Sequence, residues 1–151
     1  DMTEPNQMYQ NQGDGTFINV TSDTNLGHAG YGVGCTTGDY DNDGFIDLYL
    51  TNFGADALYR NQGDGTFIDQ SEEFGITNAE SFSTGIAIGD IDLDGYPDVY
   101  VGNYFTDYDG GLIEISDATI VNAGRTAKGY LYKNQSGKTF VEVSKKYNIN
   151  H

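Results

Sequence analysis

Residues 39–47 read DYDNDGFID, and residues 90–98 repeat the same pattern as DIDLDGYPD. Each stretch has the form D-x-D-x-D-G-x-x-D, with aspartate at positions 1, 3, 5 and 9 and glycine at position 6. Carboxylates about 5 Å apart repel by about 3 kcal/mol per pair at an effective dielectric of about 20. A loop that gathers four of them is therefore expected to be compact only around a bound cation.

The donor atoms of these two loops indicate calcium. Carboxylate and carbonyl oxygens, with no histidine or cysteine among them, favour calcium over zinc or copper. Glycine takes a positive φ at position 6 most easily, and position 7 supplies a main-chain carbonyl. The predicted ligands of two Ca²⁺ sites are Asp39, Asp41, Asp43, Phe45 and Asp47 in the first loop and Asp90, Asp92, Asp94, Tyr96 and Asp98 in the second.

A solvated turn without metal is the alternative for such an acidic run, because Asp, Asn and Gly all favour turns. Two copies that keep every acidic position, each flanked by apolar residues, favour the metal loop. Position 12 holds Leu50 and Val101 where an EF-hand needs a bidentate glutamate. The nonapeptide calcium repeat is absent as well.

The acidic loops belong to a longer internal repeat, since they lie 51 positions apart. A second motif of the form [ML]-Y-x-N-Q-x-x-x-T-F occurs three times, at residues 8–17, 58–67 and 131–140. The extra residues before the third copy place an insertion at 104–129. We expect this insertion to be an extended surface loop of the kind that often binds ligands.

Apolar residues alternate or form short runs between Gly, Asn and Asp clusters, which indicates strands and no amphipathic helix. The predicted fold is all-β, with tandem four-stranded antiparallel β-propeller-type blades carrying calcium loops. Residues 1–26 would form a half blade (an outer hairpin), 27–77 a blade with the first loop, and 78–151 a blade with the second loop and the insertion. The predicted strands are Val33–Gly38, Ile46–Thr51, Ala57–Asn61, Thr66–Gln70, Thr84–Gly89, Asp98–Gly102, Gly129–Asn134 and Thr139–Val143.

These motifs resemble the FG-GAP/VCBS repeat family, which forms the blades of integrin-α-like propellers and occurs in many bacterial secreted proteins. Residues 58–76 look like the repeats found beside ASPIC/UnbV domains. The resemblance extends over nearly the whole chain outside 104–129, and it implies extracellular blades braced by calcium through the aspartates named above. A closed propeller of this family needs several blades, whereas this chain holds two complete blades and a half.

The unpaired half blade predicts a partner, because exposed strand edges are usually closed or covered. Either the chain is a piece of a longer propeller, or another copy completes the edge and head-to-tail contacts build a filament. Residues 1–124 hold 22 acidic residues and one basic residue, whereas 125–151 hold six basic residues and one acid. This charge polarity favours head-to-tail docking. The alternative is that the lysines are simply solvated side chains on outer strands and turns.

Composition narrows the function further. A net charge of −16 argues against nucleic acid and anionic membranes as partners. No apolar stretch has transmembrane length and no signal peptide is present, which suggests a mature product or an excised segment. Calcium loops of the weaker extracellular type need about 0.1 to 1 mM ion, which points outside the cell. Cys35 has no partner for an internal disulfide and is expected to be buried.

No catalytic motif is present, and His28 and His151 are the only histidines. His28 is expected in a turn or at a strand edge, and Asp14 and Asp64 in Asp-Gly hairpin turns. Asn19 and Asn134 both match the N-glycosylation pattern, and Asn19 is the better candidate because Asn134 repeats a turn asparagine.

The sequence therefore indicates a non-catalytic extracellular calcium-binding module for self-assembly or adhesion. One alternative is a segment of a larger secreted propeller that binds a protein or glycan ligand. Another is an accessory propeller of a polysaccharide-degrading enzyme.

Overall fold

A computed structural model describes residues 5–27, 29–76, 81–106 and 127–149. His28, His151 and most of the predicted 104–129 insertion lie outside these ranges. The strands are β1 (Tyr9–Asn11), β2 (Phe17–Asn19), β3 (Tyr31–Gly38), β4 (Asp47–Phe53), β5 (Ala57–Asn61), β6 (Phe67–Asp69), β7 (Ser81–Gly89), β8 (Asp98–Thr106), β9 (Tyr130–Asn134) and β10 (Phe140–Glu142), and a single helical turn, α1, covers Thr21–Thr24.

The strands form one hairpin and two antiparallel meanders. Strands β1 and β2 pair only with each other and are called the leading hairpin. The first unit runs β3-β4-β5-β6 and the second unit runs β7-β8-β9-β10, each strand pairing with the next along the chain. One pair, Phe53 with Phe82, joins the two units into a curled sheet. The fold is all-β and antiparallel, as expected for propeller-like blades.

Several strand boundaries differ from the sequence prediction. Strand β3 begins at Tyr31, β7 begins at Ser81, and β8 continues to Thr106, so the inner strands are longer than predicted. Register shifts interrupt β3 near Gly32 and β7 near Ser83. These irregularities interrupt the alternation of apolar and polar residues. The sequence pattern therefore did not show where these strands begin.

Cys35 is exposed, so the expectation that it is buried is wrong. It lies in β3, which pairs with β4 alone in the sheet. The residues of β3 alternate between partly buried and exposed from Gly34 to Gly38, and Cys35 occupies one of the exposed positions. None of the helices in the described residues is long and apolar enough to cross a membrane.

The main core lies between the two units. Tyr40, Tyr49 and Phe74 of the first unit pack in one buried cluster with Val101 and Phe140 of the second. The Tyr40 and Phe74 rings meet edge to face with centroids 4.8 Å apart. A smaller cluster joins Leu26, which follows α1, to strands β4 and β5. Burial therefore holds each unit against its predecessor in the chain.

A closing turn follows each of the three hairpins, at residues 21–26, 71–76 and 144–149. The hydroxyl of Thr21, Ser71 or Ser144 accepts a hydrogen bond from the main-chain N–H that opens its hairpin, at 2.8, 2.9 and 2.7 Å. The fifth residue of each turn has left-handed φ. Sequence reasoning missed this element, although its signal is a Ser or Thr thirteen residues after each hairpin's first residue.

Candidate metal centre

The first acidic loop is folded by hydrogen bonds from its own main chain to its carboxylates. Asp39 accepts the N–H groups of Asp43 at 3.1 Å and Gly44 at 2.9 Å through its two oxygens. Asp43 in turn accepts the N–H of Phe45 at 2.9 Å. Asn42 and Gly44 take positive φ values of 59° and 90°, which wind the chain around the carboxylates. Gly44, at position 6, therefore has the positive φ that the sequence predicted.

The second loop has the same internal hydrogen bonds. Asp90 accepts the N–H groups of Asp94 at 3.1 Å and Gly95 at 2.8 Å, and Asp94 accepts that of Tyr96 at 3.0 Å. Leu93 and Gly95 have φ values of 61° and 92°. Two segments with different residues between the aspartates thus adopt one backbone conformation.

The aspartate at position 9 is buried and ties each loop to the third strand of its unit. Asp47 accepts the N–H of Tyr40 at 3.0 Å and that of Asn61 at 2.8 Å. Asp98 accepts the N–H of Asn134 at 2.8 Å and that of Ile91. Each position-9 carboxylate therefore fastens the loop to β5 or β9.

Three carboxylates converge in each loop, but the sets differ. In the first loop, oxygens of Asp39, Asp41 and Asp43 lie within 4.8 Å of one another. In the second, the oxygens within that distance belong to Asp90, Asp92 and Asp98. Asp47 and Asp94 are outside these groups. The full ligand sets remain predictions.

A basic side chain from the neighbouring strand reaches into each loop. The Arg60 guanidinium binds Asp41 at 2.5 Å and Asp43 at 2.7 Å. Lys133, the matching residue of the third hairpin, contacts Asp92 and lies 3.5 Å from Asp94. The leading hairpin follows no acidic loop in this sequence, and its matching residue is the uncharged Gln10. The two hairpins that lie beside an acidic loop thus have a basic residue at this position, and the hairpin without such a loop has an uncharged one.

Burial makes the charge of Asp47 costly. It raises the pKa of the Asp47 carboxyl to about 6, and the nearby Asp41 and Asp43 add to the rise, while the two main-chain hydrogen bonds oppose it. A cation held by the loop would favour the ionised form of this carboxyl. The donor set, all oxygen with one desolvated carboxylate behind it, therefore fits a hard divalent ion such as calcium.

The two loops lie at the junction between the units. The Asn42 side chain donates to the Gly95 carbonyl of the second loop at 2.8 Å. The buried Asn134 amide nitrogen donates to the carbonyls of Tyr40 at 2.8 Å and Pro97 at 3.0 Å. Asn134 therefore bridges the two loops, and its burial leaves no room for a glycan in the folded protein.

Other candidate residues have local roles. Asp14 and Asp64 each accept hydrogen bonds from a threonine two residues on, at 2.9 Å from the main chain. These bonds lower the pKa of both carboxyls. Their geometry supports the predicted turn role. Asn19 is exposed at the end of β2, with its side-chain oxygen accepting the Thr21 N–H at 3.0 Å, and it stays a glycosylation candidate.

Comparison with known families gives one match. The family model for the FG-GAP-like repeat matches residues 1–50 and 39–101. Together the two matches span about two thirds of the chain and include both acidic loops. No curated protein matches the chain.

Proposed function

The chain belongs to the FG-GAP-like repeat family, and on that premise we propose that it is a non-catalytic extracellular calcium-binding module. In this proposal the two units are complete propeller-type blades and the leading hairpin is a half blade. The module serves self-assembly, as a filament or surface array, or adhesion. Calcium has a structural role and links neighbouring blades.

The proposal rests on one observation, the convergence of three aspartates in each loop at the junction of the two units. Asp39 and Asp90 shape their loops, while Asp47 and Asp98 attach the loops to the third strands. Bound calcium supplies positive charge that offsets carboxylate repulsion. Because Asn42 and Asn134 connect one loop to the other, ordering of the loops would also order the junction between the units.

A structural role also accounts for most of the acidic residues near the junction. Each loop aspartate either accepts a main-chain hydrogen bond, contacts a basic side chain or belongs to a converging group. No histidine is present in the described residues to act beside these carboxylates. The chain is therefore proposed to brace and bind, and not to catalyse.

Thermal unfolding with and without calcium tests the proposal. We expect calcium to raise the melting temperature of the wild-type protein, and the double variant Asp41→Ala/Asp92→Ala to lose this response. The double variant Asp14→Ala/Asp64→Ala, which removes two exposed turn aspartates, is the matched control and should respond like wild type. Equal melting temperatures of the wild-type protein with calcium and with chelator would refute the proposal.

A larger secreted propeller that binds a protein or glycan ligand is the second candidate. It is favoured by the exposed apolar residues Tyr100 and Leu93 on the second unit, a face to which further blades of a longer chain would pack. Finding further FG-GAP-like repeats in the same reading frame would support it.

A further inference from the structure

A basic residue occupies one position in the third strand of each unit, and it contacts the acidic loop of its own unit. Arg60 lies in β5 and Lys133 lies in β9, at matching places in the repeated motif. Each contact is made within one unit, so it does not depend on what packs against that unit. The two residues differ in how many of the converging carboxylates they engage.

Arg60 engages two of the three converging carboxylates of the first loop. Its Nε atom lies 2.5 Å from Asp41 Oδ2, and its Nη2 atom lies 2.7 Å from Asp43 Oδ2. The other oxygen of each carboxylate accepts a main-chain hydrogen bond. Asp41 accepts the N–H of Asp43 at 3.2 Å, and Asp43 accepts the N–H of Phe45 at 2.9 Å. All four oxygens of these two aspartates are therefore already engaged.

Lys133 engages one converging carboxylate of the second loop. Its Nζ atom contacts Asp92 Oδ2 and lies 3.5 Å from Asp94. Asp94 is outside the converging group, which consists of Asp90, Asp92 and Asp98. Among the described residues, no main-chain N–H donates a hydrogen bond to Asp92, since the Asp94 N–H donates to Asp90. One oxygen of Asp92 is therefore engaged neither by the lysine nor by the main chain of these residues.

The chemistry of the two basic side chains adds to this difference. The guanidinium of arginine is planar and always charged, and its fixed N–H groups bind carboxylates at two points. The ammonium of lysine is a compact point charge on a flexible stem. A metal ion can use these oxygens only when the basic side chain has left them, and Arg60 is the harder of the two to displace.

From this comparison we infer that Arg60 and Lys133 set unequal calcium affinities for their loops, and that the two sites fill in order. The second loop fills at lower calcium and the first loop at higher calcium, where Arg60 is displaced. The inference rests on the proposed calcium function and adds a regulation of its two sites. The dissociation constants should differ by about fivefold, the effect of a partly exposed ion pair worth about 1 kcal/mol.

Ordered filling would give the protein an intermediate state. At calcium concentrations between the two dissociation constants, the second loop holds an ion while Arg60 still pairs with the first loop. The guanidinium then limits carboxylate repulsion in the first loop, so this loop stays folded before it binds its ion. The range of calcium concentration over which the protein responds would therefore depend on the residues at one position of the motif.

A calcium titration followed by NMR tests the inference loop by loop. The Gly44 N–H donates to Asp39 at 2.9 Å, and the Gly95 N–H donates to Asp90 at 2.8 Å, so each amide reports on its own loop. In the wild-type protein we expect the Gly95 resonance to reach its midpoint at about one fifth of the calcium concentration that Gly44 needs.

Exchange of the two basic residues is the most informative variant, because it leaves composition and net charge unchanged. In Arg60→Lys/Lys133→Arg we expect the Gly44 midpoint to fall and the Gly95 midpoint to rise, so that the difference between them is lost. The single variants separate the two contributions. Arg60→Lys should lower the Gly44 midpoint by about twofold to threefold, and Lys133→Arg should raise the Gly95 midpoint.

The matched control is Lys145→Arg. Lys145 is exposed in the closing turn at 144–149, outside both acidic loops. The same kind of substitution at this site should therefore move neither midpoint. Circular dichroism checks the fold of each variant, and Arg60→Gln replaces Arg60→Lys if that variant unfolds.

Two results would overturn the inference: wild-type midpoints that coincide or come in the opposite order, or an exchange variant that keeps the wild-type difference. Either result, with both amides shifting, refutes ordered filling and leaves the calcium proposal intact. The calcium proposal fails separately if neither amide shifts at about 10 mM calcium, tenfold above the weakest expected dissociation constant, and the melting temperature is unchanged. That result would refute the inference as well.

Discussion

The two acidic loops have one backbone design but different surroundings. The first loop lies against the second unit, with Asn42 bonded across the junction and the Gly137 turn packed on Asp41. The second loop has Leu93 in solvent at the matching place. Repetition of the motif therefore fixes the local fold of the acidic loop, while the position of the loop in the chain decides which residues contact it.

Gly137→Ala, which alters the contact between the second unit and the first loop, is expected to have the largest effect on stability. Gly137 has φ 71°, and an added Cβ would lie 2.8 Å from the Asp41 Cα, which is main chain and has little freedom to move. We expect a loss of about 3 kcal/mol in unfolding free energy from positive φ and overlap together. Chemical denaturation measures it.

Gly13→Ala is the control for this substitution. Gly13 also has positive φ, 83°, but an added Cβ would meet nothing within 4 Å. Its cost should be only the conformational penalty of about 1 kcal/mol. Equal losses for the two variants would show that the Gly137 turn does not press on the first loop.

The next effect compares the loops as metal sites. Asp41→Ala and Asp92→Ala each remove one converging carboxylate from one loop. At calcium ten times the dissociation constant, one site contributes about 1.4 kcal/mol to folding stability. We expect hydrogen exchange to increase around the altered loop, and the increase across the junction to be larger for Asp41→Ala, because the Gly137 turn of the second unit packs on Asp41 itself. Exchange that is unchanged by either variant would contradict a calcium brace.

Substitution of each of the two basic residues, Arg60 and Lys133, should change stability less, and each substitution should act on its own loop. Arg60→Gln gives the second hairpin the uncharged residue that the leading hairpin has at Gln10. In chelator this variant should lose about 0.5 to 1 kcal/mol, the size expected of a partly exposed ion pair. With calcium we expect tighter binding to the first loop, because Arg60 holds oxygens of Asp41 and Asp43. Lys133→Gln should act on the second loop alone, and weaker binding after Arg60→Gln would contradict competition between Arg60 and the metal.

The last comparison concerns the titration of Asp47, which needs no substitution. Its folded pKa, about 6, lies above the ordinary value of 3.8. In chelator, Asp47 therefore contributes stability below pH 3.8 that is lost as pH rises toward 6. Carboxyl NMR should give this raised pKa without calcium and a lower one with calcium. Asp64, whose pKa is lowered by its Thr66 hydrogen bonds, should not respond to the ion.

The sequence predicted the repeating parts of the molecule well. The acidic loops, the three hairpins and the antiparallel order follow from the aspartate spacing, the Asp-Gly turns and the alternating residues. The predicted resemblance to the FG-GAP repeat family is confirmed. Interactions between residues close in sequence specify these elements, so a short stretch of sequence is enough to predict each of them.

Features that depend on how the strands and the two units pack were not predictable in the same way. The strand ends at Tyr31 and Ser81 are extended by bulged pairing, and the exposure of Cys35 depends on the face of β3 that it occupies. The contact of Arg60 with the first loop and the bridge made by Asn134 join residues distant in sequence. Such contacts follow from how strands and units pack, which residue spacing does not encode.

Isothermal titration with calcium tests the central claim most directly. We expect two calcium ions per chain, with dissociation constants in the range of about 10⁻⁴ to 10⁻³ M that is typical of extracellular modules. Asp41→Ala and Asp92→Ala should each remove one equivalent. No binding heat in this range, together with an unchanged melting temperature, would show that the acidic loops are turns held by hydrogen bonds and by Arg60 and Lys133 alone.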